Sequence, residues 1–511
     1  MKSPAIVLTT DETMMSRYRG GIFVGFATCI PQGVIPDWIF FHAVAPPVPR
    51  KNGRAIFADQ GTRMIEAALL ESGFGEDEVA VVHPRDLPKM VGENTGIVSV
   101  SGHDLLGINP PTSTFADLLR TGPPYNRVMF LELMRNPVLR NVTTVVGGKS
   151  AWQVAEEGVM DRLGIDHVHL GEGEVSVPKA FSAILAGEEV PRVIHGEEVP
   201  LEKIPVLKGA TIHGLAEISR GCNRGCKFCT PGMQKIRHKP IDQIAADVRL
   251  NAAGGNSCAI LHAEDVLAYG SKKIEPEPEK VAALFTRVAG IEGVKGIGLS
   301  HLALATAYHN PALIETIADI IYTLPNQNFI GVQTGIETGS PRIMEMYMKS
   351  KCAPSSPGDW PDIVKSSLGL LNDHDIIPAC TLIAGLPGEE EEDVILTIEM
   401  MEDIRDTRSL VVPLNFVSMD PAALSDKDSF TAEKMTPSHW ELLGVCIDHD
   451  MRMVRRMNRY IVEGNMVLTA IARLAMRYMV RGAEKYSREM KQGQPPAGWD
   501  ITARNYLVPE F

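Results

Sequence analysis

The chain has 511 residues, 44% of them apolar and 22% charged, with a net charge of −13. That is enough length for two or three domains with sizeable cores, in a composition ordinary for a globular protein. The acidic balance argues against a protein that tracks a nucleic-acid backbone, and no apolar run approaches the roughly 18–20 residues a membrane helix needs. The N-terminal stretch MKSPAIVLTTDETMMSRYRGG holds only a short apolar run and no signal-peptide pattern. The expectation is a cytoplasmic protein with eight reduced cysteines, bound neither to membrane nor to nucleic acid.

In chain order, residues 62–70 (TRMIEAALL) have amphipathic helical spacing, and 79–82, 96–100 and 142–146 read as short buried strands. Such alternation predicts an α/β domain, a parallel sheet with helices on both faces, over residues 1–195. Residues 191–207 hold three prolines and little periodicity, so a linker is expected, assigned to 196–211. A second alternation runs over 212–420, with strand-like runs at 259–261, 296–299, 329–332, 380–384 and 410–412. Helical stretches such as 280–288 and 393–404 separate them, which predicts a partial (β/α) barrel with its chemistry at the C-terminal strand ends. Residues 421–511 read as a helical extension; its Arg-rich run MRMVRRMNRY fits a solvated face.

Three cysteines fall within eight residues, in SRGCNRGCKFCTPG: Cys222, Cys226 and Cys229. The other five are scattered; Cys258 and Cys380 lie in apolar runs and are expected to be buried. Thiolates suit iron–sulfur clusters or zinc. Zinc would need a fourth ligand, which His213 or His238 could supply. On a 4Fe–4S cluster, three cysteines leave one iron open to chelate a small molecule.

The Cys222-x3-Cys226-x2-Cys229 spacing, with Phe228 before the last cysteine, resembles the radical S-adenosylmethionine (SAM) superfamily. Further segments match in order: Gly254-Gly255, then HAEDVLAYG, GVQTGIETGS and LIAGLPGE. The resemblance covers roughly 212–420. It implies a 4Fe–4S cluster on the three cysteines, and SAM contacts from Phe228, Glu264, Asp265, Ser300, Gln333, Glu337, Ser340 and Leu386. For Glu337 a structural carboxylate at the barrel top is the alternative.

The N-terminal half resembles cobalamin-binding domains fused to radical enzymes, through ADQGTRMIEAALLESGF, SVSGHDLLGINPPTSTF, TTVVGGKSAW and DHVHLGEGE. The implied cobalamin contacts are Ser101, Gly102, His103, Asp104, Leu105, Ser113, Thr114, Gly147, Gly148, Lys149, Gly171, Glu172, Gly173 and Glu174. The chain departs from the Asp-x-His-x-x-Gly pattern of methionine-synthase-like domains, having Gly102-His103-Asp104-Leu105-Leu106-Gly107. His103 is therefore a cobalt ligand, a turn residue or a corrin-amide contact. A Rossmann-like domain without cobalamin stays open.

Together the resemblances imply a cobalamin-dependent radical SAM C-methyltransferase. The 5′-deoxyadenosyl radical takes a hydrogen from an unactivated sp3 carbon, which then receives the methyl group of methylcobalamin. Archaeal relatives suggest a peptide or protein substrate, and more narrowly a glutamine of the methyl-coenzyme M reductase alpha subunit. A low-potential donor such as ferredoxin or flavodoxin is the implied partner. The alternatives are a radical enzyme acting on a small molecule and a non-catalytic iron–sulfur or redox protein.

Overall fold

A computed structural model describes residues 3–18, 28–461 and 481–507. The N-terminal domain is built on six parallel strands: β1 (Ile6–Thr10), β2 (Val79–Val81), β3 (Ile97–Ser101), β4 (Thr143–Gly147), β5 (His167–Gly171) and β6 (Val193–Gly196). Their spatial order is β2-β1-β3-β4-β5-β6. Alternate side chains feed two cores. Val7, Ala80, Val98, Val100 and Val146 pack with Phe130 on one face; Ile6, Leu8, Val79, Val81 and Val145 pack with Leu69 and Phe181 on the other. Both faces are covered by helices, so the strands read as continuous apolar runs rather than alternating ones. The covering helices include α1 (Gln60–Glu71), α2 (Pro110–Leu119), α3 (Tyr125–Met134), α4 (Glu157–Leu163) and α5 (Ser176–Leu185).

The expected strands at 79–82, 96–100 and 142–146 are present within a residue or two, and the expected helix at 62–70 lies inside α1. The sequence reading did not identify β1, β5 or β6. β1 is the fully buried second strand, pairing with β2 and β3 on either side. The chain passes from β1 to β2 on one side and to β3 on the other. That reversal opens a crevice at the carboxyl ends of β1 and β3, the usual ligand position in such sheets. The stretch read as a linker from 191 begins with edge strand β6, which pairs with β5 and packs only Val193 and Ile194 against the cores, too short a pattern to mark a strand.

The central domain has six more strands: β7 (Leu215–Glu217), β8 (Cys258–His262), β9 (Gly296–Leu299), β10 (Ile330–Glu337), β11 (Ile376–Ala384) and β12 (Leu410–Asn415). They form two parallel three-stranded sheets, β9-β8-β7 and β10-β11-β12, joined by a parallel bridge between His301 and Gln333. The result is the expected open barrel with strands in chain order. Helices α6 (Ile241–Ala253), α7 (Pro278–Ala289), α8 (Leu304–His309), α9 (Pro311–Tyr322), α10 (Pro341–Tyr347), α11 (Trp360–Asp373) and α12 (Glu391–Asp403) cover its outside. Cys380 is buried as expected, but Cys258 is exposed, because it opens β8 at the rim opposite the site.

A 25-residue helix, α13 (Pro437–Ile461), follows the barrel. Its arginines meet acids at exposed positions, Arg452 with Asp448 and Arg456 with Asp406, as a solvated face would. The last described segment folds back onto the N-terminal domain: Trp499 Nε1 donates to Leu118 O at 3.0 Å, and Arg127 donates to Tyr506 O and Leu507 O. Among the described residues, no helix is long and apolar enough to cross a membrane.

Candidate functional site

The cysteines lie on the loop after β7, at the C-terminal mouth of the barrel. The loop is compact because Gly221, Asn223 and Gly225 take positive φ values. A Cβ on Gly221 would stand 2.3 Å from Lys235 O, so glycine is required there. Cys222 N donates to Gln234 O, and Gly225 N to Gly232 O. All three thiols are unpaired; Cys226 is buried and the other two are half-buried. Phe228 packs against the barrel core.

Burial pushes the Cys222 thiol up to about 11 and the Cys229 thiol to about 12, so a bound cation would be needed to keep them as thiolates. Zinc would need a fourth ligand beside the three thiols. His238 Nε2 is engaged with Ser271 O, and His213 precedes β7 at the opposite rim. Among the described residues, no three His, Cys, Asp or Glu side chains gather closely enough to hold one ion. In a multi-iron cluster each thiolate binds a different iron, and three cysteines on one tight glycine loop offer such thiolates.

The sequence reading missed the residue that fixes this loop. Buried Arg224 donates to Ser350 O and Lys351 O, to Thr306 Oγ1 at 2.6 Å and to Asp265 Oδ2 at 3.3 Å. Lys227 N adds a bond to Tyr347 O. Arg224 lies between Cys222 and Cys226, where the cysteine spacing specifies no residue type, so nothing in the spacing marked it.

The implied SAM contacts separate into two groups. Asp265 is saturated by Arg224, Thr306 and the amides of Leu267 and Ala303. Ser300 Oγ exchanges two bonds with Ala263 backbone. Ser340 caps α10 and donates to Asp393 at 2.5 Å. Leu386 is buried. These four shape the mouth. Gln333 stays half-buried on the strand face of Gly331 and Gly335, and Glu264 is half-buried after β8. Glu337 sits at a strand irregularity with φ +56, its carboxylate held by Lys351 Nζ at 2.7 Å and by Thr381 Oγ1 at 3.3 Å.

The carboxyl ends of the N-terminal sheet face this mouth. Ser101 ends β3 and Gly102 follows it; Gly102 N bonds to Gly147 O. Gly148 has φ +95, and a Cβ there would come within 2.6 Å of Gly102 O. Asp104 closes its own loop by accepting from Ile108 N, Asn109 N, Gln153 Nε2 and Asn126 Nδ2. Leu105 is buried under Ser150, whose Oγ accepts its amide. Ser113 bonds back into α2, while Thr114 Oγ1 accepts from Asn415 N at the end of β12. His103 and Lys149 are exposed into the cleft between the domains.

In the Gly171-Glu172-Gly173-Glu174 loop both carboxylates are held by arginines next to the cysteine loop. Glu172 accepts from Arg220 at 3.0 Å, from Arg237 and from Val199 N at 2.8 Å; Glu174 pairs with Arg220, which also pairs with Glu217 at 2.8 Å. Burial raises the Glu172 carboxyl, but these arginines and the Val199 amide outweigh it and hold it below its usual range. The loop clamps the N-terminal domain to the segment two residues before Cys222.

Two imidazoles that the sequence reading passed over face the cleft. His262 ends β8 and His301 follows β9, with ring centroids 6.0 Å apart. Burial pushes His262 down to about 3, aided by Lys149 and His301, and burial likewise lowers His301. The His262 ring is therefore neutral at pH 7. His301 Nδ1 and Asn415 Nδ2 are buried without a partner among the described residues, so the mouth holds polar atoms that a ligand would satisfy.

Residues 216–401 match the Radical SAM superfamily model. This radical SAM domain carries the cysteine loop and all six barrel strand ends but the last. The chain is 27% identical over 265 residues to the ribosomal protein uS12 methylthiotransferase RimO of Moorella thermoacetica, covering 51% of this chain and 57% of that protein. It is 25% identical over 214 residues to tRNA-2-methylthio-N(6)-dimethylallyladenosine synthase of Orientia tsutsugamushi, covering 41% and 44%. The chain thus spans about half the length of these relatives. The radical SAM methyltransferase TsrM of Kitasatospora setae, solved with cobalamin and a 4Fe–4S cluster, superposes with a TM-score of 0.55 at 13% identity, over 83% of this chain and 74% of TsrM. A second TsrM structure, with tryptophan substrate and aza-SAM, gives the same TM-score over 82% and 75%. At that identity the likeness is one of fold, and it extends over both domains.

Proposed function

We propose that the chain is a cobalamin-dependent radical SAM methyltransferase. The observation that carries this is the joining of two ligand crevices, the carboxyl ends of the β1–β4 sheet and the barrel mouth, by the Arg220–Glu172–Glu174 clamp next to Cys222. Cys222, Cys226 and Cys229 would hold a 4Fe–4S cluster; Gly147, Gly148 and the cleft-facing His103 and Lys149 would meet the corrin. Bound, the cluster supplies the electron that cleaves SAM and the corrin carries the methyl group. The protein's own part is geometry: Arg224 fixes the cysteine loop, Gln333 and Glu337 offer polar atoms along the inner strand face, and the clamp keeps the two crevices at one distance. The TsrM fold, shared across both domains, supports this reading.

For the substrate, an sp3 carbon of a protein side chain is the narrower proposal, with the methyl-coenzyme M reductase glutamine resting on the sequence resemblance alone. One relative is named for a ribosomal protein and another for a tRNA, so both substrate classes belong in the test. Protein purified anaerobically with cobalamin is incubated with a low-potential reductant, methyl-labelled SAM and candidate peptides or tRNA. The expected products are 5′-deoxyadenosine, S-adenosylhomocysteine and a substrate heavier by one methyl group. A methylthio increment would transfer the chain to the methylthiotransferases. Failure to cleave SAM at all would overturn the radical reading.

A further inference from the structure

Lys351 belongs to no motif, yet it ends at the centre of the site. It closes a short turn after α10, and its side chain is only 16% exposed. Its ammonium meets Glu337 Oε1 at 2.7 Å. The pair occupies the space over Gly335: a Cβ on that residue would lie 1.7 Å from Glu337 Oε1 and 2.8 Å from Lys351 Nζ. Glycine at 335 is thus what admits a buried ion pair to the inner face of the barrel. The pair cannot drift, because Arg224, between Cys222 and Cys226, donates to the carbonyl oxygens of Ser350 and Lys351. The positive charge is therefore fixed relative to the cysteine loop, and it is felt at the thiols of both Cys226 and Cys229.

A buried lysine with a single carboxylate partner is costly to keep where hydrophobic packing alone would serve. Lys351 has three ammonium donors and one acceptor, Glu337, among the described residues.

We propose that Lys351 is a positioning residue of the radical site: it holds the Glu337 carboxylate over Gly335 for SAM and places a fixed positive charge beside Cys226 and Cys229. This rests on the radical SAM reading above. A positive charge next to the cluster favours its reduced, more negative state, so Lys351 raises the reduction potential. It also leaves Glu337 with one oxygen pinned by the ammonium and the other only weakly engaged by Thr381 at 3.3 Å, open to a hydroxyl donor such as a ribose.

The test uses the full chain reconstituted anaerobically with iron and sulfide, as wild type, K351M, K351R and E337Q. The readouts are iron and sulfide content, the cluster midpoint potential followed by electron paramagnetic resonance, and equilibrium binding of SAM. K351M is expected to take up iron as wild type does, to shift the midpoint to more negative potential and to bind SAM at least tenfold more weakly. K351R, which keeps the charge, should restore the potential, while E337Q should move it the opposite way to K351M. Should K351M lose its cluster altogether, E337Q alone decides, since it leaves every cationic group in place. Unchanged potential and SAM affinity in K351M, or an unmoved potential in E337Q, would overturn the proposal. A wild-type chain that takes up no cluster would instead sink the radical SAM reading itself.

Discussion

Arg220 Nη1 stands 3.0 Å from Glu172 Oε2, so that a residue two positions before Cys222 is bonded to a loop of the other domain. The same guanidinium reaches Glu174 and Glu217, and Arg237 takes the other oxygen of Glu172. Arg220 is 14% exposed and Glu174 5%. Replacing Arg220 by Met leaves partly buried carboxylates without their partner, a loss of about 3 kcal/mol. R220M should melt earlier and be cut by protease between the domains, in the segment 197–211. It should retain iron, because the cysteine loop keeps its Arg224 anchors.

Each of C222A, C226A and C229A should abolish 5′-deoxyadenosine formation while leaving cobalamin uptake intact, since the loops proposed to meet the corrin are on the other domain. Visible absorbance after reconstitution and product analysis by mass separate the two. Full activity in any one of the three variants would remove that cysteine from the ligand set.

Two glycines of the N-terminal domain should respond oppositely to alanine. Gly148 combines φ +95 with a would-be Cβ at 2.6 Å from Gly102 O. G148A should cost roughly 1–3 kcal/mol and displace the loop that carries Lys149, weakening cobalamin retention on gel filtration. Gly158, in helix α4, has nothing within 4 Å and no positive φ. G158A should stabilise by about 0.5–1 kcal/mol and leave cobalamin binding unchanged.

Asp450 ties α13 to the barrel, accepting from Val411 N at 2.7 Å beside the buried thiols of Cys380 and Cys446. Burial pushes its carboxyl up to about 8 from 3.8. The folded protein therefore keeps a proton that the unfolded chain has released, and the unfolded state binds fewer protons between those values. Stability from this group is fully present below pH 4 and is lost as pH rises through about 8. D450N should flatten the fall in melting temperature between pH 5 and pH 8; an equal slope in both proteins would show that Asp450 is ionised in the fold.

What the sequence determined by itself was local in origin. The three cysteines and their spacing are a property of one short segment, and Gly221 and Gly225 within it mark the tight loop that the metal chemistry needs. The barrel strands were visible as apolar runs separated by helices, and β9 falls at the expected residues because both its ends are marked by glycine and serine. Strand β1 escaped notice: five residues carry too little periodicity to stand out, and its central place comes only from pairing with β2 and β3, some 70 and 90 positions away. The same limit applies to the site. Asp265, Ser300 and Ser340 were legible as polar residues at strand ends, but whether each faces a ligand or its own scaffold depends on partners such as Arg224 and Asp393, far off in the chain. Lys351 and His301 fall in none of the motif segments, and Arg220 and His262, though inside two of them, carried no role there. Their importance arises where a bulge, two strand ends and two domains converge, and buried charges gain meaning from what surrounds them, which only the tertiary structure decides.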